Sequence, residues 1–239
     1  MRISVCIPMY NENRIIETTA QRLSSYMEAH FDDYEILFCN DGSTDGCDET
    51  VRALNLPRVR VIGYSQNRGK GHAVRTAMLE ATGDVRIFTD SDLAYGTDVI
   101  ESIVKAFEQN PNAELVIGSR NLHKDGYEGY TWLRRMASKL YIRIVCATSG
   151  LKLSDSQCGC KAFSAKAAES IFPRCEIDGF AFDLEAILWA RMLEYHYVEI
   201  PVRVINHGDS KVRVTRDTWK MLCDLQKMKK RIRAESLRK

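Results

Sequence analysis

Val85-Arg86-Ile87-Phe88-Thr89-Asp90-Ser91-Asp92 is the stretch on which the reading of this chain turns. Residues 85–89 are rich in β-branched and aromatic side chains and read as a short buried strand. The strand runs directly into two carboxylates separated by one small residue. Two such groups at a buried strand end repel each other and are costly to desolvate unless a cation intervenes. One or two carboxylates completed by substrate phosphates suit Mg²⁺ or Mn²⁺. The plain alternative is an acidic lead-in to the helix that begins near Thr97 and Asp98. An Asp-x-Asp by itself is common, so the meaning of this one depends on its surroundings.

Working outward, residues 3–9, 34–39, 59–65 and 114–118 read as further strands, and 12–30, 45–54, 71–81 and 98–109 as helices. Strands alternating with helical stretches imply right-handed βαβ crossovers and an α/β fold with a mostly parallel, Rossmann-like central sheet flanked by helices. Ligands bind such sheets beyond the carboxyl ends of the strands. Polar groups collect at those ends. Pro8, Tyr10, Asn11 and Glu12 follow the first strand, Asn40-Asp41-Gly42-Ser43 the second, and Asn67-Arg68-Gly69-Lys70-Gly71 the third. Asp90, Ser91 and Asp92 follow the fourth, and Ser119-Arg120 the fifth. A purely structural sheet has no reason to gather them on one rim. Beyond Arg120 the pattern is less regular: a helix over 129–147, a loop into a short strand over 154–163, a helix over 182–195, a strand over 198–204, and a basic amphipathic helix over 215–233.

The 239 residues fit a single domain with a sizeable core, and the 45% hydrophobic and 28% charged fractions are those of a soluble globular protein. Formal net charge is +2, unevenly spread: residues 216–239 hold nine Lys/Arg against three Asp/Glu. A mildly acidic body with a basic tail favours an anionic surface as a partner of the tail. The amino terminus lacks the length and cleavage site of a signal peptide, and no window approaches a membrane-spanning run. The eight cysteines are scattered without a Cys-x-x-Cys pair, and Cys158 and Cys160 read as reduced structural thiols. The expected location is therefore cytoplasmic, with peripheral attachment to the cytoplasmic membrane face as an option. Nucleic acid is not an expected partner. A dinucleotide-binding oxidoreductase is disfavoured because no Gly-x-Gly-x-x-Gly follows the first strand.

Six segments in order carry a resemblance. They are Ile7-Pro8-Met9-Tyr10-Asn11-Glu12, Asn40-Asp41-Gly42-Ser43-Thr44-Asp45-Gly46, Asn67-Arg68-Gly69-Lys70-Gly71, Asp90-Ser91-Asp92, Gly118-Ser119-Arg120, and residues 155–163 from Asp155 to Phe163. Over residues 1–213 the chain resembles family 2 glycosyltransferases of the GT-A fold, and within them the branch that makes polyprenyl- or dolichyl-phosphate sugars. The resemblance implies an inverting hexosyltransferase that uses a nucleoside diphosphate sugar and Mg²⁺ or Mn²⁺.

It also implies roles. Pro8, Tyr10 and Glu12 resemble the wall of a nucleoside site, with Pro8 as a rigid turn, and Asp41 the group that hydrogen-bonds the base. Asn40 stands where the family often has Asp. Lys70, between two glycines, would reach ribose or diphosphate where the backbone must approach closely. Asp90 and Ser91 would face the donor, and Asp92, with Asp90, the metal, which makes the diphosphate a better leaving group. Leu93 stands where the mannosyl branch often has Gln, which favours a glucosyl donor such as UDP-glucose. Arg120 and Arg134 or Arg135 resemble the cations that receive an anionic acceptor. Asp155 resembles the acidic residue beside the acceptor: a general base if the acceptor is a hydroxyl, an orienting group for Arg if it is a phosphate. Lys211 and Arg213 resemble a basic loop that closes over the diphosphate. For Tyr10, Arg134, Arg135, Asp155, Lys211 and Arg213 ordinary packing, loop capping or solvation is the competing account.

The expected organisation is a GT-A domain over 1–213, with a donor-binding half at 1–120 and an acceptor half at 121–213, followed by a basic amphipathic helix at 214–239. The favoured reading is hexose transfer to a polyprenyl or dolichyl phosphate. Transfer to a hydroxyl of a glycan or small molecule, and a non-catalytic nucleotide-sugar-binding protein, are the alternatives. A membrane surface or a membrane partner protein is a further expected contact, through the apolar stripe after Trp132 or through the tail, with helix packing inside the fold as an equal alternative for either segment.

Overall fold

The computed structural model describes residues 1–128, 132–205 and 214–236. Alternation with apolar side chains on both faces builds the centre of the sheet. In β1 (Ile3–Met9), Val5 and Ile7 join one core cluster and Cys6 another. In β2 (Tyr34–Asp41), Ile36 and Phe38 face the first cluster and Leu37 and Cys39 the second. Strands apolar on both sides must be covered by helices on both sides. The first face is covered by α1 (Ile16–His30), α2 (Cys47–Ala53) and α4 (Asp98–Gln109), through residues such as Leu23, Met27, Val51 and Ile103. The second is covered by α3 (Lys70–Glu80), α6 (Ala165–Ile171) and α7 (Phe182–Met192), through Val74, Met78, Ile171 and Trp189.

The sheet has seven strands, adding β3 (Val59–Tyr64), β4 (Val85–Phe88), β5 (Leu115–Ser119), β6 (Lys161–Ser164) and β7 (Tyr197–Pro201), in the order β3-β2-β1-β4-β6-β5-β7. All neighbours are parallel except β6, which runs antiparallel between β4 and β5. Because β1 lies between β2 and β4, the strand order reverses there and leaves a crevice beyond the carboxyl ends of β1 and β4. Tyr10 leaves one of those ends and Asp90 the other.

The start of the first helix and the place of Pro8 differ from the sequence reading, for local reasons. The first helix starts at Ile16, not near Glu12. Asn11 takes a left-handed backbone (φ 51°) and its side chain accepts from Thr44 N–H at 2.9 Å, while Asn13 N–H donates to Asp45 at 2.8 Å. Residues 11–13 are thus tied to the loop after β2. Pro8 is not a turn residue; it lies buried inside β1, opposite Cys39. The short helix α6 has no counterpart in the sequence reading.

A third cluster joins α7 to α5 (Trp132–Ser149) and α8 (Val214–Ser236). Met221, Leu225 and Met228 of α8 are buried there against residues that include Tyr141, Val145, Leu184 and Leu188. This apolar face of the basic tail is packed on protein, which corrects the expectation that it could lie on a membrane. No helix among the described residues is long and apolar enough to cross one.

Candidate active site

The acidic motif leaves β4 and turns sharply. Leu93 adopts a left-handed backbone (φ 48°), its N–H bonds the Asp90 carbonyl at 3.0 Å, and its own carbonyl accepts from Gly96 at 2.8 Å. The turn sends the Leu93 side chain into the core at 3% exposure, so this position presents nothing to the rim. Thr19 of α1 fastens the turn by donating to the Ser91 carbonyl at 2.6 Å.

Lys70 is the first residue of α3, and its Nζ forms an ion pair with Asp90 Oδ1. Both side chains keep more than a quarter of their surface exposed. Burial opposes the charge on Lys70, but Asp90, Asp183 and Asp92 outweigh it and hold the ammonium above its usual pKa. Asp92 accepts from Ala94 N–H at 3.0 Å. Burial, and then the neighbouring Asp90 charge, raise the Asp92 carboxyl above the usual range despite that bond and Lys70. The cluster therefore carries excess negative charge, which a divalent cation would relieve. Among the described residues no group of three His, Cys, Asp or Glu is placed to hold a metal alone. Asp92 and Asp90 fit an ion whose remaining ligands are water and a diphosphate.

Asp90 is backed by Gly159, where an added Cβ would run into the Asp90 carboxylate. Gly159 N–H donates to Tyr95 Oη at 3.0 Å, and Tyr95 is buried. Beneath the loop, Lys161 is fully buried, donating to Asp183 at 2.8 Å and to the Cys158 carbonyl at 2.6 Å. Asp183 also accepts from Leu184 N–H and Gln157 Nε2. Gly159 and Lys161 lie in the segment that carries the resemblance, but sequence reading missed the pairing of Lys161 with Asp183 and the contacts of Gly159 with Asp90 and Tyr95. The signal available was a Lys inside the apolar run Cys160-Lys161-Ala162-Phe163 and an Asp beside Phe182 and Leu184.

Asp41 is buried at 3%, and its carboxylate accepts from Tyr64 Oη (2.7 Å), Asn67 Nδ2 (2.9 Å), Arg68 N–H (2.8 Å) and Gly69 N–H (2.9 Å). It shapes the loop that delivers Lys70, and these donors take up much of its acceptor capacity. The glycines beside Lys70 also answer to protein. A Cβ on Gly69 would meet the Asp178 carbonyl, and one on Gly71 would meet the Ile177 carbonyl and Phe182. Gly71 N–H donates to the Asp178 carbonyl at 2.8 Å, and Asp178 holds Arg75 at 2.7 Å. The close approach expected for a ligand is made here by residues 177–178. Tyr10 is 40% exposed at the rim, and Glu12 starts the turn into α1 through its carbonyl.

On the other side of the crevice Arg120 and Asp155 form a buried forked pair, Nε to Oδ2 at 2.6 Å and Nη2 to Oδ1 at 2.9 Å, at 6% and 2% exposure. The Arg120 guanidinium also lies 5.2 Å from the centre of the Tyr127 ring. Burial pushes the Asp155 carboxyl up, but Arg120 and Gln157 N–H overcome it and leave the group below the usual carboxylate range. Arg120 is thus a buried cation whose guanidinium Asp155 orients. Arg135 donates to the Tyr127 carbonyl. The Arg134 side chain, Lys211 and Arg213 lie outside the described residues.

With this geometry in place, the relatives are informative. Residues 4–172 match the Glycosyl transferase family 2 domain, and the chain belongs to that family. It is 30% identical to the dolichyl-phosphate β-glucosyltransferase of Saccharomyces cerevisiae, over 93% of this chain and 72% of that one. It is 29% identical to the dolichyl-phosphate β-glucosyltransferase ALG5C of Trichomonas vaginalis, over 92% and 68%. The human dolichyl-phosphate β-glucosyltransferase is 27% identical over 84% and 66%. The chain is a glycosyltransferase of the dolichyl-phosphate sugar transferase branch. Its fold resembles that of glucosyl-3-phosphoglycerate synthase from Mycobacterium tuberculosis, solved with Mn²⁺, UDP and phosphoglyceric acid, with TM-score 0.74 at 19% identity over 95% of this chain and 78% of that one. The same enzyme has been solved with Mg²⁺ and UDP (TM-score 0.72). The architecture is GT-A.

Proposed function

We propose that this chain transfers a hexose, with UDP-glucose as favoured donor, to a polyprenyl or dolichyl phosphate with inversion at the sugar carbon. The observation that carries the choice of acceptor is the state of Asp155. The carboxylate expected beside the acceptor is buried, gripped by Arg120 and held in its ionised form. A hydroxyl acceptor needs a base to take its proton, whereas a phosphate monoester arrives already ionised and needs position and charge control. The relatives' substrate names support the same acceptor, and the inward-turned Leu93 supports the glucosyl donor.

In this proposal residues 1–120 form the donor half and 121–213 the acceptor half. Tyr10 and Glu12 border the nucleoside. Lys70 meets the diphosphate, and Lys70 and Gly159 together fix the direction of Asp90 towards the sugar. A Mg²⁺ or Mn²⁺ ion held by Asp92 and Asp90 would supply Lewis-acid neutralisation of the departing diphosphate. Lys211 and Arg213 would close over that diphosphate, and Arg134 would assist acceptor binding.

The test is radiolabelled UDP-glucose with Mn²⁺ and dolichyl phosphate, set beside GDP- and dTDP-sugars. Label that enters the organic phase and is released by mild acid is expected. Label found only in a water-soluble product, or indifferent to added dolichyl phosphate, overturns the proposal in favour of a hydroxyl acceptor.

A further inference from the structure

The helix α5 turns Tyr141 and Val145 into the third core cluster, yet its opposite face carries large apolar side chains into solvent. Trp132 is 74% exposed, Met136 47% and Leu140 60%. Spaced four apart, they form a row along the helix. Arg135, Lys139 and Arg143 form a second exposed row on the same side. Residues 129–154 contain five Lys/Arg and no Asp or Glu, so the field around this face has one sign. An apolar row beside a basic row is the pattern of a helix lying in a lipid–water boundary, where apolar chains enter the headgroup layer and cations meet anionic lipids. The amphipathic Trp ring suits that depth.

We propose that α5 docks this domain on an anionic bilayer, with Trp132, Met136 and Leu140 entering the headgroup layer and Lys139 and Arg143 facing its charge. The first turn of the helix is tied to the strand rim: Arg135 holds the Tyr127 carbonyl, and Arg120, just after β5, packs on the Tyr127 ring. Docking through α5 therefore keeps the rim beside the bilayer, where a lipid-borne phosphate can reach it. In that respect the inference rests on the acceptor proposed above, while the docking itself is read separately.

Flotation of the purified chain on vesicles tests it. Binding is expected to vesicles of phosphatidylcholine mixed with phosphatidylglycerol, to be weak on phosphatidylcholine alone, and to fall with salt. Trp132→Ser/Leu140→Ser and, separately, Lys139→Glu/Arg143→Glu should each lower binding by at least about tenfold. Both pairs should retain the wild-type circular dichroism and transfer to a detergent-dispersed short-chain prenyl phosphate. Wild-type chain that stays off anionic vesicles, or substituted pairs that float as well as wild type, overturn the proposal. So does a wild-type dimer that becomes monomeric in Trp132→Ser/Leu140→Ser, because the face then belongs to a second copy. Flotation that tracks both pairs while no prenyl phosphate is glucosylated supports the docking and sinks only the acceptor.

Discussion

Asp92 combines partial burial, a neighbouring carboxylate and a raised proton affinity. A carboxyl whose folded pKa lies above its unfolded value costs stability once ionised, and the cost grows as pH rises through the folded pKa. Asp92→Asn removes that cost together with the proposed ion ligand. The expected result is a melting temperature at pH 7 equal to or above wild type in metal-free buffer. Transfer should fall by about 100-fold or more, the scale on which loss of a transition-state charge stabiliser is felt. Thermal melts and initial rates on the same preparation check both. At this scale the acidic motif was legible in the sequence, because two carboxylates closing an apolar strand are conspicuous. For Asp155 the resemblance offered orientation of an Arg as one of two roles, but the internal partners of Asp41, Arg120 and Asp155 were not legible. Sequence gives the identity of a polar group but not which other groups satisfy it, and all three spend their hydrogen bonds inside the protein.

Among the elements, β6 taught the most. The βα units up to Ser119 follow the sequence pattern closely because each strand is a distinct apolar run bounded by helical periodicity. A short strand near Phe163 was legible, but its antiparallel insertion between β4 and β5 as Lys161–Ser164 was not: four residues carry no period, and a leading Lys looks like surface. In fact Lys161 is fully buried on Asp183, and that carboxyl is pushed up by burial and brought back in part by Lys161. Lys161→Met leaves an unpaired acid in the core beneath the Asp90 loop and is expected to cost about 3–5 kcal/mol. Lys161→Met/Asp183→Leu should recover much of that loss. Denaturant unfolding of the two variants measures the difference, and equal losses in both would contradict the pairing.

For the whole molecule, response to acid is set by carboxylates held in their ionised form. Burial pushes the Glu35 carboxyl up, but Ser4 Oγ, the Thr82 N–H and hydroxyl, and Arg60 overcome it and leave the group at about 2. A depressed folded pKa contributes stability that is fully present above the unfolded value, near 4.5, and is lost as pH falls towards 2. Glu35→Gln should therefore destabilise the fold by on the order of 2–3 kcal/mol at pH 7, and the gap from wild type should close on acidification. Urea titrations between neutral and acid pH read this directly.

The crevice between β1 and β4 is where the proposal is decided, since the Asp92–Asp90–Lys70 cluster is the group proposed to make a nucleoside diphosphate a leaving group there. Anomalous diffraction from crystals grown with Mn²⁺ and UDP is the most direct measurement. A manganese peak within coordination distance of an Asp92 carboxylate oxygen and of a diphosphate oxygen is the expected result. UDP bound in the crevice with no metal peak at Asp92, or manganese bound elsewhere, would contradict it.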